Sequence, residues 1–257
     1  MYDNRAKKRG GNILKQNNNP HFEQKGQGFI QSLRPLGMSH LVYGFCDNVE
    51  NIAKFGLDAK RGKSFSLLPY SLHRTLEEQG LDWEHCFPLE HCWQNEADLE
   101  FPKVAIGNLR QQKIHRLWQE AGFAAGVALP IRTFVDPEVT IGAAVLLFAQ
   151  HVSVQDFHAM YQRHHHALRR LAEGFDAEIR RSCMKSVFPL TKGECKALRH
   201  YQRLGDAARI AELNGTTVRT VQLSLQKARL KLQVKSNTEA LNFCRSFGLL
   251  QGRDDSP

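Results

Sequence analysis

Apolar positions along this chain keep two rhythms. Up to about residue 149, helical spacing alternates with strand-like runs; from Val154 onward the spacing is helical throughout. Phe29, Ile30, Leu33 and Leu36 predict a helix over 22–36, stopped at Gly37. Residues 39–45 alternate as a strand. A loop-like stretch, 56–62, leads to a short apolar run at 65–68, and helical pattern returns at 71–79, ending at Gly80. Residues 81–103 are rich in aromatics and read as irregular. Ile114, Leu117 and Trp118 predict a helix over 111–121, closed by Gly122. Strands at 126–131 and 141–148, joined by a turn at Asp136-Pro137, suggest an antiparallel pair. The second of these is nearly all apolar and reads as a buried strand. The expected class is α+β, with an α/β/α sandwich around a central antiparallel sheet over 20–180.

Val154, Phe157, Tyr161, His164, Leu168, Leu171 and Phe175 then recur at alternating spacings of 3 and 4. Such a seam either packs on the domain's own sheet or joins two copies of the chain; a shared role, with some dimer contact, is expected. Residues 181–189 form a linker, and 190–257 hold a small all-α domain of four helices. Thr191 and Glu194 spell a capping box, and Pro189 discourages helix before it. Gly205 ends the first helix and Ala207–Leu213 is the second. Asn214-Gly215 is the turn, and a third helix runs from an N-cap at Thr216 or Thr217 to Leu232. Its inward positions are Val218, Val221, Leu225, Ala228 and Leu232; its outer face is polar and basic. Two helices, a tight turn and a basic second helix make a helix-turn-helix, whose second helix fits the major groove.

Leu190-Thr191 with Glu194, Ile210-Ala211 with Leu213, Thr220-Val221, Lys231-Leu232 with Val234, Ala240 and Gly248-Leu249-Leu250 together resemble the DNA-binding domain of LuxR-type regulators. The spacing from Gly215 through Val221 to Leu225 is similar to the quorum-sensing branch. The resemblance implies double-stranded DNA as partner, an inverted-repeat operator, a homodimer, and RNA polymerase as a further partner. The DNA-facing candidates are Thr217, Arg219, Thr220, Gln222, Gln226, Lys227 and Arg229.

Upstream, Trp118, Ala121-Gly122-Phe123, Gly126 and Pro130 resemble the segment that leads LuxR-type autoinducer-binding domains into their sheet. This implies a small-molecule autoinducer, of acyl-homoserine-lactone type, as ligand rather than a cofactor. The chain departs from the family pattern: Phe87 precedes Pro88 where the family has Asp. Tyr70 falls at a pocket tyrosine, but Arg74 and Glu78 stand where the family has Trp and Tyr, and Asp82 is a displaced carboxylate. The candidate lining is Tyr43, Phe65, Tyr70, Asp82, Trp83, Trp93, Phe123 and Leu129. A regulator of the same build that needs no ligand, or takes a different one, is an alternative. A protein-interaction module carrying a helix-turn-helix is another.

Charge sharpens the picture. The net charge of +9 is uneven: residues 1–16 carry +4, residues 190–257 carry +6 and the middle carries −1. Basic ends favour a polyanion for the C-terminal domain, while 1–19 reads as a disordered basic tail. No run approaches the roughly twenty apolar residues of a membrane helix, and the N-terminus lacks a signal peptide's apolar core, so a cytoplasmic protein is expected. Its six cysteines should then be thiols. The pairs His85-Cys86 and His91-Cys92 could hold zinc, but they match no standard spacing, and no metal is expected. Nucleotide-binding and hydrolase motifs are missing, so the chain reads as a non-enzyme.

Overall fold

The computed structural model describes residues 20–46, 62–81, 86–102, 108–136 and 139–250. The basic tail and nearly all of the expected loop at 56–62 lie outside them. The chain divides into two compact units: residues 1–132 with 142–173, and residues 133–141 with 174–257.

In the first unit, helix α1 (Pro20–Leu33) leads through a 3-10 turn to strand β1 (His40–Cys46). Strand β2 (Gly62–Ser66), helices α2 (Tyr70–Glu78) and α3 (Phe87–Gln94), strand β3 (Leu99–Phe101) and helix α4 (Leu109–Glu120) follow. The long strands β4 (Ala125–Asp136) and β5 (Val139–Ala149) precede helix α5 (Val154–Ser182). The five strands form one sheet in the order β2-β1-β5-β4-β3. β1 pairs antiparallel with β2 and with β5, and β3 pairs antiparallel with β4. Beyond the ends of β4 and β5, the second unit is built of helices, and the class is α+β, as the pattern predicts.

Side chains alternate across a strand, so each strand feeds two cores. On one face Tyr43 and Phe65 are cross-strand partners, and Phe22 of α1 stacks on Phe65 at 4.3 Å between ring centroids. The other face presents Val42, Cys46, Ala128, Ala144, Leu146 and Phe148 to the buried residues of α2, α3 and α4. There Trp118 meets Phe148 edge-on at 5.2 Å and Phe123 meets the same ring at 5.8 Å. Gly126 is required in β4, because a Cβ would lie 2.3 Å from the Phe101 ring and 2.5 Å from the Leu147 carbonyl oxygen.

Residues 81–103 are more regular than their composition suggests, since they contain α3 and β3. Pro88 sits in the first turn of α3, where its missing N–H breaks no helical bond. Arg132 binds the other end of α3, donating to the carbonyl oxygens of Cys92 and, at 2.8 Å, Asn95.

The seam on α5 packs largely on its own chain, one half of the shared role expected of it. Phe157, Tyr161, Leu168 and Phe175 are buried within the single chain, together with Ala172 and Ile179, while Val154 and Leu171 are left exposed. The buried set follows the helical repeat, as expected for packing on the chain's own core. Polar contacts hold the helix in register with the sheet unit. Tyr161 donates to Asp98 at 2.7 Å, and Arg169 donates to Asp98 and, at 3.0 Å, to the Pro130 carbonyl oxygen.

Leu168 is 0% exposed, so Leu168→Ala should lower the unfolding free energy by about 2–5 kcal/mol in urea titrations. Leu168→Glu should yield no folded protein. A folded, monomeric Leu168→Glu variant would return the seam to an intermolecular role.

Candidate nucleic-acid interface and ligand site

The second unit builds its helices from strong local signals. Helix α6 (Met184–Val187) is a single turn, with Cys183, Met184 and Phe188 buried around it. Helices α7 (Lys192–Leu204), α8 (Ala207–Leu213), α9 (Val218–Leu232) and α10 (Asn237–Ser246) follow. The Thr191 hydroxyl accepts from the Glu194 N–H at 3.2 Å, and the Glu194 carboxylate accepts from the Thr191 N–H at 2.7 Å. Gly205 closes α7 with φ of 68°, and Gly215 makes the turn before α9 with φ of 57°. Thr217 caps α9, its hydroxyl accepting from the Thr220 N–H at 3.2 Å.

Glu194 and Lys231 lock α7 to the end of α9. The ammonium donates to the Glu194 carboxylate at 2.8 Å and to the Pro189 carbonyl oxygen at 3.0 Å. Burial disfavours the charged carboxylate. The Lys231 ammonium and the Thr191 N–H outweigh that and hold it below its ordinary value. The inner face of α9 is Val221, Leu225, Ala228 and Leu232. Val218 and Leu213 are exposed instead of inward, because both lie at element ends beside the turn.

Arg219, Thr220, Gln222, Gln226 and Lys227 are all exposed on α9, so the structure brings five of the seven DNA-facing candidates to one solvated side. The side chains of Thr217, Thr220 and Arg229 have partners within the unit. The Thr217 and Thr220 hydroxyls bond each other at 2.9 Å as part of the cap. Arg229 is half-buried and donates to Asn237, tying α9 to α10 instead of projecting outward.

In the sheet unit the predicted lining is divided. Tyr43 and Phe65 sit on the α1 face, and strand alternation puts Leu129 opposite Ala128, away from α2–α4. Trp93 and Phe123 sit on the face covered by α2–α4. One pocket cannot be lined by both groups. Tyr70 is 67% exposed, on the same outer side of α2 as the solvated Arg74–Glu78 ion pair. The inner side of α2 carries Leu72, His73 and Leu76. Asp82 and Trp83 lie outside the described residues.

Two features of the α2–α4 face add to the predicted lining. One is a small cleft lined by Phe87, Pro88, Phe101, Gln111, His115 and Trp118, among others, with about 10 Å³ of enclosed space, close to the minimum for one water. Gln111 is buried there and donates to Glu90 at 2.8 Å. Burial pushes the His115 imidazole below its ordinary value. The other is Trp93, which is 3% exposed and whose indole N–H has no acceptor among the described residues. Pro88 beside Phe87 marked the first feature in the sequence, and Trp93 is in the predicted lining.

His85 lies outside the described residues, among which no group of three or more ligating side chains converges. Burial pushes the Cys86 and Cys92 thiols far up, and the His91 ring bonds the Ala97 carbonyl oxygen at 2.8 Å. Among the described residues no helix is long and apolar enough to cross a membrane.

Glu194 is held below its ordinary value of 4.5, so its contribution to stability is present above that pH and lost as pH falls through the lower, folded-state value. Thermal melts of the full chain should therefore fall more steeply below pH 4.5 than those of Glu194→Gln. Parallel acid limbs would remove Glu194 from the account.

No protein-family model matches the chain, and no curated protein does. Solved structures do. SdiA in complex with octanoyl-rac-glycerol is similar at 13% identity, with 90% of this chain and 91% of that chain covered and a TM-score of 0.45. The crystal structure of Escherichia coli SdiA in the space group P6522 gives 14%, 90% and 92%, and 0.40. CepR2 from Burkholderia cenocepacia, an N-acylhomoserine-lactone-dependent LuxR family transcription factor, gives 12%, 59% and 80%, and 0.42.

Proposed function

We propose that this chain is a DNA-binding transcriptional regulator of the LuxR type, with a sheet unit that senses a small amphiphilic molecule. The observation that carries the reading is α9. It is a helix capped by Thr217, held by Lys231 on Glu194, and facing solvent with Arg219, Thr220, Gln222, Gln226 and Lys227. A polar-basic second helix after a tight turn suits the major groove, with its N-terminal half near base edges. One such helix reads only a short half-site, so a homodimer on an inverted repeat is the fitting assembly.

On the sensing side, the support is the Trp93 indole N–H on the aromatic α2–α4 face, a buried donor with no acceptor among the described residues. A ligand carbonyl or hydroxyl oxygen would satisfy it, and the surrounding Leu and aromatic side chains would take an acyl chain. Phe87 stands where the resemblance expects a carboxylate, so the amide N–H of an acyl-homoserine lactone has no charged acceptor there. An unmet buried donor costs about 1–3 kcal/mol. Acyl-homoserine lactones should therefore bind this chain weakly. Ligand binding would act by linkage, stabilising the folded sensor and favouring one arrangement of the dimer.

Glutamine pairs bidentately with adenine, so Gln222→Ala should cost about 1–3 kcal/mol on a selected site and little on random duplex. Equal losses on both would make Gln222 a backbone contact.

Melting curves with acyl-homoserine lactones of graded chain length and with octanoyl glycerol check the sensor. A ligand at a hundred times its Kd adds about 2.7 kcal/mol, and Trp93→Phe should remove most of the shift while staying folded. No shift with any of these compounds would favour a regulator that works without them.

A further inference from the structure

The DNA-facing side of α9 is not wholly polar. Leu223 is 44% exposed and Leu230 is 69% exposed. Being seven residues apart, they lie about 20° from each other around the helix, on the side away from Val221, Leu225, Ala228 and Leu232. Residues three and four apart are neighbours on a helix surface. Leu223 is therefore ringed by Thr220, Arg219, Gln226 and Lys227, all exposed. It sits in the middle of the surface that the regulator reading assigns to the groove.

An isobutyl group cannot bond a phosphate, a base-edge amine or a base-edge carbonyl. Major-groove base edges carry one exposed apolar substituent, the 5-methyl group of thymine. The flanking Arg219 and Lys227 supply the charge complementarity that brings the helix to DNA, and Gln222 and Gln226 supply adenine-compatible bonds. A·T pairs then offer adenine to a glutamine and thymine's methyl group to the leucine.

We propose that Leu223 is a specificity-determining residue that reads a thymine methyl group in each half-site, an inference that rests on the regulator reading above. Leu230 is about 10 Å farther along the helix at 1.5 Å per residue, in the half that leaves the groove floor, and serves as the control.

The test uses the full chain. A random-sequence duplex library is first enriched for bound sites. Each thymine of the enriched half-site is then replaced by deoxyuridine, which removes only the methyl group. With the unaltered protein, one position per half-site should lose about fourfold in affinity, the worth of one buried methyl-sized group. Leu223→Ala should lose affinity for the thymine duplex and bind thymine and deoxyuridine duplexes alike. Leu230→Ala should keep the discrimination. Circular dichroism of the variants confirms folding, which exposed positions should not disturb. Equal binding of thymine and deoxyuridine duplexes at every position by the unaltered protein, or discrimination retained in Leu223→Ala, overturns the assignment while leaving a DNA-binding protein. Enrichment of no sequence overturns the regulator reading itself, and the assignment with it.

Discussion

The sheet unit depends on β5 being buried on both faces. Ala143, Val145 and Leu147 point one way and Ala144, Leu146 and Phe148 the other, and all are buried. A strand with no solvated side must be covered twice, so α1 lies against one face and α2, α3 and α4 against the other. The two coverings differ. The α1 face packs Phe22, Tyr43, Phe45 and Phe65 among themselves. The α2–α4 face mixes aromatics with polar groups: His73, Gln111 and the Trp93 indole are buried there. Buried polar groups are costly unless something pairs with them. That asymmetry singles out the α2–α4 face as the one suited to a ligand with a polar head.

The helical unit depends on a different kind of constraint. Glu194 serves the start of α7 and the end of α9 at once, because its carboxylate accepts from both the Thr191 N–H and Lys231. A carboxylate buried with both partners in place rigidifies the pair of helices it joins. Arg229 does a similar service toward α10 through Asn237. The basic residues of α9 are thus split between those that hold the fold and those that face outward. Only the second group, Arg219 and Lys227, adds to the charge available to a polyanion.

Tyr70, placed at a pocket position by its distance from Pro88, is solvated. Tyr70, Arg74 and Glu78 share one side of α2 whatever the family pattern, and that side is solvated here because Leu72, His73 and Leu76 compete for the core. Strand alternation puts Tyr43 and Leu129 on the face away from α2–α4, while Phe123, just before β4, packs with the α2–α4 cluster.

Local signals acted within a turn or two of the chain, and they alone determined much of what is seen. The capping box at Thr191, the glycine stops at Gly37, Gly205 and Gly215, the two-residue rhythm of β1 and the helical rhythm of α9 could be read directly. Each depends on hydrogen bonds or backbone angles among neighbours in sequence. Only the tertiary structure decided which side of the sheet each aromatic joined, that the α5 seam closed on its own chain, that Arg229 turned inward, and that Leu223 stayed out. Those outcomes depend on which distant segment covers a given face. A heptad looks the same in sequence whether its partner is a sheet or a second helix.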